Sequence, residues 1–166
     1  GSGMISLEME CPTLPQREVP TVVAREEFEG EDIGLEWLRL REPTFENYRL
    51  KRGRLLLKPT TITLDEQASP TFLARRQQDI FFTATTELCL KGGSEGDLAG
   101  LTVYMDPGAH YDIYVERSED GYWAVLRYKL GAVDHTQCRL KLDDGGAVLR
   151  VEGRDYHYHF SVADAD

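Results

Sequence analysis

The chain has 166 residues, of which 29 are acidic and 19 basic, so its formal net charge is −10. Hydrophobic residues make up 41% of it, which is ordinary for one globular domain long enough to bury its own core. The negative charge argues against nucleic acid and anionic membrane surfaces as partners, because both would repel it. Neutral ligands such as carbohydrates stay open, as do cationic ones.

The first part of the chain has neither a helical nor a strand period. Residues 1–3 precede Met4 and have the composition of an expression remnant. Residues 4–24 contain three prolines, which remove backbone donors, so we predict a linker there. The compact domain is predicted over residues 25–166. No apolar run approaches the roughly 20 residues that span a bilayer, and no signal-peptide pattern follows Met4.

From there on, the pattern is that of short strands separated by turns rich in Gly, Asp and Pro. Candidate strands cover residues 55–57, 80–90, 99–105, 110–117, 122–129, 137–142, 147–152 and 156–162. In residues 110–117 the apolar side chains of Tyr111, Ile113 and Val115 alternate with polar ones. Spacings near ten residues without a helical period predict an all-β fold, an antiparallel sandwich or barrel.

Residues 143–146 (DDGG) and two histidines are weak candidates for metal sites. The DDGG segment lacks the spaced ligands and terminal Glu of a calcium loop, so we expect a hairpin turn. His157 and His159 share one strand face, but a metal site would need a third ligand. A solvated strand face is the better interpretation.

The three cysteines are odd in number and widely spaced, at Cys11, Cys89 and Cys138. They form no zinc-type pair and no disulfide framework, so we expect free thiols in a reducing compartment. This favours the cytoplasm over secretion. A Cys89–Cys138 bridge between strands stays open as an alternative.

The most informative stretch is residues 69–78 (SPTFLARRQQ), which leads directly into a β-branched and aromatic strand. One interpretation is an exposed strand start whose arginines pair with acidic residues. The other is a polar cluster that holds a partner or a sugar. No motif of a serine hydrolase, a phosphate-binding loop or a zinc protease is present, so catalysis has little support.

Aromatic residues strengthen the sugar interpretation. Tyr104 and Tyr114 are predicted on the face opposite the apolar series, where aromatic rings beside Arg and Gln can stack a sugar. A second covering layer would explain the same rings. The candidate carbohydrate-binding residues are Phe72, Arg75, Arg76, Gln77, Tyr104 and Tyr114.

Several blocks together resemble the C-terminal domain of β-xylosidases of glycoside hydrolase family forty-three. They are residues 27–30 (EFEG), 35–43 (LEWLRLREP), 69–78, 99–104 (AGLTVY) and 110–111 (HY). They occur in the family's order and at similar spacings, and they cover most of residues 25–130.

The resemblance implies a concanavalin A-like β-sandwich, a jelly roll, behind a five-bladed propeller that carries the catalytic carboxylates. It therefore implies a non-catalytic domain of a β-xylosidase or arabinofuranosidase, which binds xylan or xylo-oligosaccharides or supports the propeller. A purely structural interdomain domain and a stand-alone lectin-like protein are the alternatives. A structural calcium ion between strands stays open, and no other cofactor is expected.

The chain departs from the family pattern in two places. In some relatives the loop before the arginine pair carries a phenylalanine that contacts substrate, and Asp65 stands opposite it here. The family also continues well past the equivalent of residues 160–162, so the resemblance implies a sandwich shortened at its C-terminus. An open sheet edge would favour pairing with another copy of the chain.

Overall fold

The computed structural model describes Thr13, residues 24–91 and residues 93–165. Of the predicted linker over 4–24, all but Thr13 and Ala24 therefore lies outside the described residues. The described part contains nine strands and one short 3₁₀ turn, Phe45–Asn47. The strands are β1 Tyr48–Leu50, β2 Leu55–Leu57, β3 Phe82–Cys89, β4 Leu98–Asp106, β5 Ala109–Ser118, β6 Gly121–Leu130, β7 Val133–Leu142, β8 Gly146–Arg154 and β9 His157–Asp164. Among these residues, no helix has the length and apolarity that crossing a membrane requires.

The strands form two sheets and a small hairpin, all antiparallel. The first sheet has the order β3-β8-β9, the second the order β4-β5-β6-β7, and β1 pairs with β2. The prediction of an all-β antiparallel sandwich is confirmed. Strand β7 begins four residues earlier than predicted because Gly131, with φ +60°, supplies a tight turn directly after β6.

The prediction of a hairpin at residues 143–146 is wrong. This turn joins β7 in the four-stranded sheet to β8 in the three-stranded one, so it carries the chain across the core. Leu90 donates its backbone N–H to the carbonyl of Gly145 at 2.8 Å, and a Cβ at Gly145 would lie 2.5 Å from the Leu90 carbonyl oxygen. A Gly-rich turn signals a change of direction, but the pattern does not say which sheet the next strand joins.

The core lies between the two sheets and follows the alternation of the sequence. Ile113, Val115 and Ala124 from the larger sheet meet Ala147 and Leu149 from the smaller one, and all are nearly or fully buried. Burial of these side chains is the main stabilising term of the fold.

Cys89 and Cys138 are free, exposed thiols in different sheets.

Strand β7 is the least covered part of the sandwich. Leu140 lies opposite the buried Ala124, so its side chain points to the core side of the sheet. Its side chain is nevertheless 56% exposed. The three-stranded sheet is one strand narrower than its partner and leaves the inner face of β7 largely open.

Candidate functional site

A cluster of charged side chains occupies the outer face of the four-stranded sheet. On β5, His110 and Asp112 point to this face, and their partners across the ladder on β6 are Lys129 and Arg127. Asp134 on β7 lies opposite Lys129 and continues the row. Strand alternation and register therefore bring five titratable side chains together on one face.

Asp65 completes the cluster from outside the sheet. It belongs to the loop over residues 64–68, and its Oδ1 lies 3.0 Å from Nε2 of His110. The other ring nitrogen, Nδ1, lies 2.8 Å from Oδ2 of Asp112. Both carboxylates can only accept, so the fully buried ring can donate to both of them only when both of its nitrogens carry a proton.

Arg127 binds three carboxylates at once. Its Nε and Nη2 donate to the two oxygens of Asp134 at 2.8 and 2.6 Å, and Nη2 also donates to Oδ2 of Asp65 at 2.7 Å. A longer contact of 3.5 Å joins Nη1 to Asp112, and Lys129 Nζ lies 3.5 Å from Asp65. Two cations and the His110 ring thus face three carboxylates, and we call this set of six residues the charge cluster.

The pKa values of the cluster reflect this pairing. Burial opposes ionisation of Asp65, but the hydrogen bond from Arg127 and the charges of Arg127, Lys129 and His110 outweigh it and lower the pKa of Asp65. The hydrogen bond from Arg127 likewise lowers the pKa of Asp134. The hydrogen bond to Asp134 raises the pKa of Arg127 well above its ordinary value, against the effect of burial. These residues keep their charges near neutral pH.

The loop that carries Asp65 is fixed at both ends. At one end Asp65 binds His110 and Arg127, and at the other end Arg41 donates from Nη1 to the carbonyl of Ala68. Glu66 accepts from the backbone N–H of Thr63 at 2.7 Å, which closes the turn. The tip residues Glu66 and Gln67 are exposed. We call residues 64–68 the anchored loop.

Two of the predicted sugar-binding residues lie beside the charge cluster. Phe72 is 9% exposed; its backbone N–H donates to the Tyr48 hydroxyl at 2.8 Å, and that hydroxyl donates to its carbonyl at 2.9 Å. Tyr104 lies between the rings of Phe72 and His110, with centroids 5.3 and 5.8 Å away. The structure therefore brings Phe72 and Tyr104 together, with Phe72 packed inside the domain.

The other four predicted residues lie elsewhere. Tyr114 shares the face of Tyr104 but stands four residues beyond His110 on β5, about 13 Å along the strand. Burial, with the charge of Glu116, raises its pKa. Arg75 lies over the ring of Trp37, 5.4 Å from its centroid, and Arg76 is exposed.

Gln77 lies at an end of the smaller sheet. It donates from Nε2 to the carbonyl of Asp79 at 2.8 Å and accepts from the Tyr158 hydroxyl at 3.2 Å. A shallow depression of about 210 Å³ is lined here by Gln77, Ile80, Gly153, Tyr156, His157 and Tyr158. The side chain of Tyr156 is 94% exposed, and its φ of +60° places it in a strained left-handed turn.

The charge cluster is built to hold chain segments together. Arg127 lies within 3.5 Å of all three of its carboxylates, which come from the anchored loop and from two strands of the sheet. Across residues 24–91 and 93–165, no three His, Cys, Asp or Glu side chains converge in a way that could hold a metal ion.

Sequence reasoning placed Asp65 in a loop but missed its partners. The alternation of His110 with Asp112, and of Arg127 with Lys129, is the signal that could have found the sheet part of the cluster. Asp65 lies 45 residues from His110 and 62 from Arg127, so no local pattern connects them.

Comparison with known proteins agrees with the fold. Residues 25–166 match the family model described as "Beta xylosidase C-terminal Concanavalin A-like domain". The chain is 30% identical over 163 residues to the non-reducing end alpha-L-arabinofuranosidase BoGH43B of Bacteroides ovatus, covering 96% of this chain and 31% of that protein.

Two solved structures show the same architecture. The Bacteroides ovatus xyloglucan PUL GH43B structure superposes with a TM-score of 0.81 at 29% identity, covering 93% of this chain and 31% of the other. The GH43 protein BlXynB of Bacillus licheniformis gives 0.78 at 18% identity, with 83% and 27% covered, which bears on the fold alone. The chain thus spans about 31% of the length of the B. ovatus relative. From the strand order, the core and these matches, we conclude that the chain belongs to the family of β-xylosidase C-terminal concanavalin A-like domains.

Proposed function

We propose that this accessory domain packs against the catalytic propeller of a family forty-three glycosidase and presents the anchored loop to it. The observation that carries the proposal is the loop itself. Asp65 and Ala68 are tied to the rest of the domain, while Glu66 and Gln67 between them are exposed. A rigid polar protrusion of this kind is suited to docking, because little conformational entropy is lost when it binds.

The comparisons support a partner of this kind. The chain spans about 31% of the length of a relative that is named as an α-L-arabinofuranosidase, so a longer glycosidase is the natural setting for such a domain. Substrates ending in arabinose or xylose, including xylan fragments, follow as the substrate class for the whole enzyme. The chain alone would then support hydrolysis without carrying it out.

A domain exchange tests this proposal. Residues 25–166 replace the corresponding domain of the B. ovatus arabinofuranosidase, and kcat and KM are measured with an aryl arabinofuranoside. We expect activity about tenfold or more above that of the enzyme without its C-terminal domain, since the docked loop positions substrate. Gln67→Ala should raise KM in the chimera, whereas Arg150→Ala, on the exposed outer face of β8, should not. Equal activity with and without the domain would contradict the proposal.

Binding of xylan or xylo-oligosaccharide by the domain itself is the second candidate function. The depression beside Gln77 supports it, because Tyr156 offers an exposed ring and Gln77 an amide already oriented by Asp79 and Tyr158. An aromatic ring face can stack on a sugar ring, and an oriented amide can form hydrogen bonds with its hydroxyl groups.

Calorimetric titration with xylohexaose, with cello-oligosaccharide as the control sugar, distinguishes the possible surfaces. If the depression binds sugar, Tyr156→Ala should weaken binding about tenfold, while Tyr114→Ala leaves it unchanged. The reverse result would move the site to the outer face of the four-stranded sheet. No heat with xylohexaose, in a folded domain, would leave docking as the function.

A further inference from the structure

The hydrogen bonds of the charge cluster depend on how many protons the His110 ring carries. His110 is fully buried and faces a carboxylate at each ring nitrogen, at 2.8 Å for Asp112 and 3.0 Å for Asp65. A neutral imidazole has one donor and one acceptor, so it can satisfy only one of them. Loss of the second proton leaves a nitrogen lone pair pointing at a carboxylate.

The two carboxylates differ in how easily they can move away from the ring. Asp112 is 6% exposed on a central strand, and its Oδ1 has no hydrogen-bond partner among the described residues. Its Oδ2 is bonded to His110 and lies 3.5 Å from Arg127. Asp65 lies in a loop, and its side chain is 28% exposed. The remaining proton therefore stays on Nδ1, toward Asp112, and the repulsion falls on Asp65.

We infer that Asp65, His110 and Arg127 form a latch that holds the anchored loop in its docking conformation, and that the latch loosens when His110 loses its second ring proton. Asp65 and His110 are thus positioning residues for the loop tip. The significance of the latch for a glycosidase rests on the proposed function, but the latch itself is a property of this chain.

The other groups around the ring do not compete for this role. Tyr104 stacks on it from β4, and Lys129 lies opposite it on β6. Arg127 lies opposite Asp112 on β6, and Asp134 lies opposite Lys129 on β7. Imidazole is the side-chain type in this set that ordinarily titrates between about pH 5 and 8. On the acid side, the lowered pKa of Asp65 keeps its carboxylate ionised until the pH falls below the usual carboxyl range.

Amide exchange in the unmodified chain tests the latch directly. NMR follows the His110 ring signals with pH, together with exchange at the N–H groups of Thr63 and Glu66, which close the loop turn. After correction for intrinsic exchange, we expect the protection of these two N–H groups to fall about tenfold as the pH rises. The midpoint of this fall should coincide with the midpoint of the change in the His110 ring signals. Protection that does not change through that titration would overturn the inference.

Substitutions separate the latch from general loosening. In Asp65→Asn the two N–H groups should exchange at the high-pH rate throughout, so the pH dependence should disappear. Asp65→Glu should restore part of the pH dependence. Asp134→Asn removes the outer partner of Arg127 and should keep the wild-type midpoint. An equal effect of Asp134→Asn and Asp65→Asn would refute a specific latch. Because the amide-exchange measurement uses this chain alone, failure of the domain exchange would leave its result standing, and the reverse also holds.

Discussion

Replacing His110 with phenylalanine should lower the free energy of unfolding by about 3–5 kcal/mol, among the largest single losses available in this domain. Phenylalanine fills much of the space but donates no hydrogen bond, so the carboxyl group of Asp112 would lose its 2.8 Å partner at 6% exposure. Asp65 would also lose its 3.0 Å contact with the ring. Urea unfolding followed by tryptophan fluorescence measures the change.

Three further variants test the cause of this loss. His159→Phe makes the same replacement at an exposed position of β9 and should change stability by about 0.5 kcal/mol or less. His110→Gln keeps an N–H donor and should cost less than phenylalanine. Adding Asp112→Leu to His110→Phe removes the stranded charge and should recover much of the loss. If His110→Phe were as mild as His159→Phe, the charge cluster would contribute little to the fold.

The strands could be predicted from sequence because their pattern is local. Alternation in residues 110–117 correctly put Ile113 and Val115 in the core and Tyr114 on the opposite face. The crossing at residues 143–146 was mistaken for a hairpin, since turn residues report a reversal and not the sheet that receives the next strand. That choice depends on packing between distant segments.

The charge cluster lay beyond prediction for the same reason. Alternation places His110 with Asp112 and Arg127 with Lys129, but only the register between β5 and β6 makes them neighbours. Phe72 illustrates the converse. Its position beside the arginine pair made it a candidate sugar-binding residue. In the structure its backbone N–H donates to the Tyr48 hydroxyl, its carbonyl accepts from that hydroxyl, and its ring packs against Tyr104.

The second large effect is expected at Leu149, the buried centre of β8. Leu149→Ala should lower the free energy of unfolding by about 2–5 kcal/mol, because its side chain is fully buried between the sheets and its removal leaves a cavity. The measurement is again urea unfolding, at two protein concentrations.

Leu140→Ala is the matched control, since it deletes the same atoms from the core side of the neighbouring sheet, where the side chain is 56% exposed. If β7 stays uncovered in solution, Leu140→Ala should cost no more than about 0.5–1 kcal/mol at either concentration. A loss at Leu140 that approaches the loss at Leu149 and grows with concentration would mean that a second copy covers β7. A contact between chains stabilises the folded state by mass action, whereas a contact within one chain does not depend on concentration.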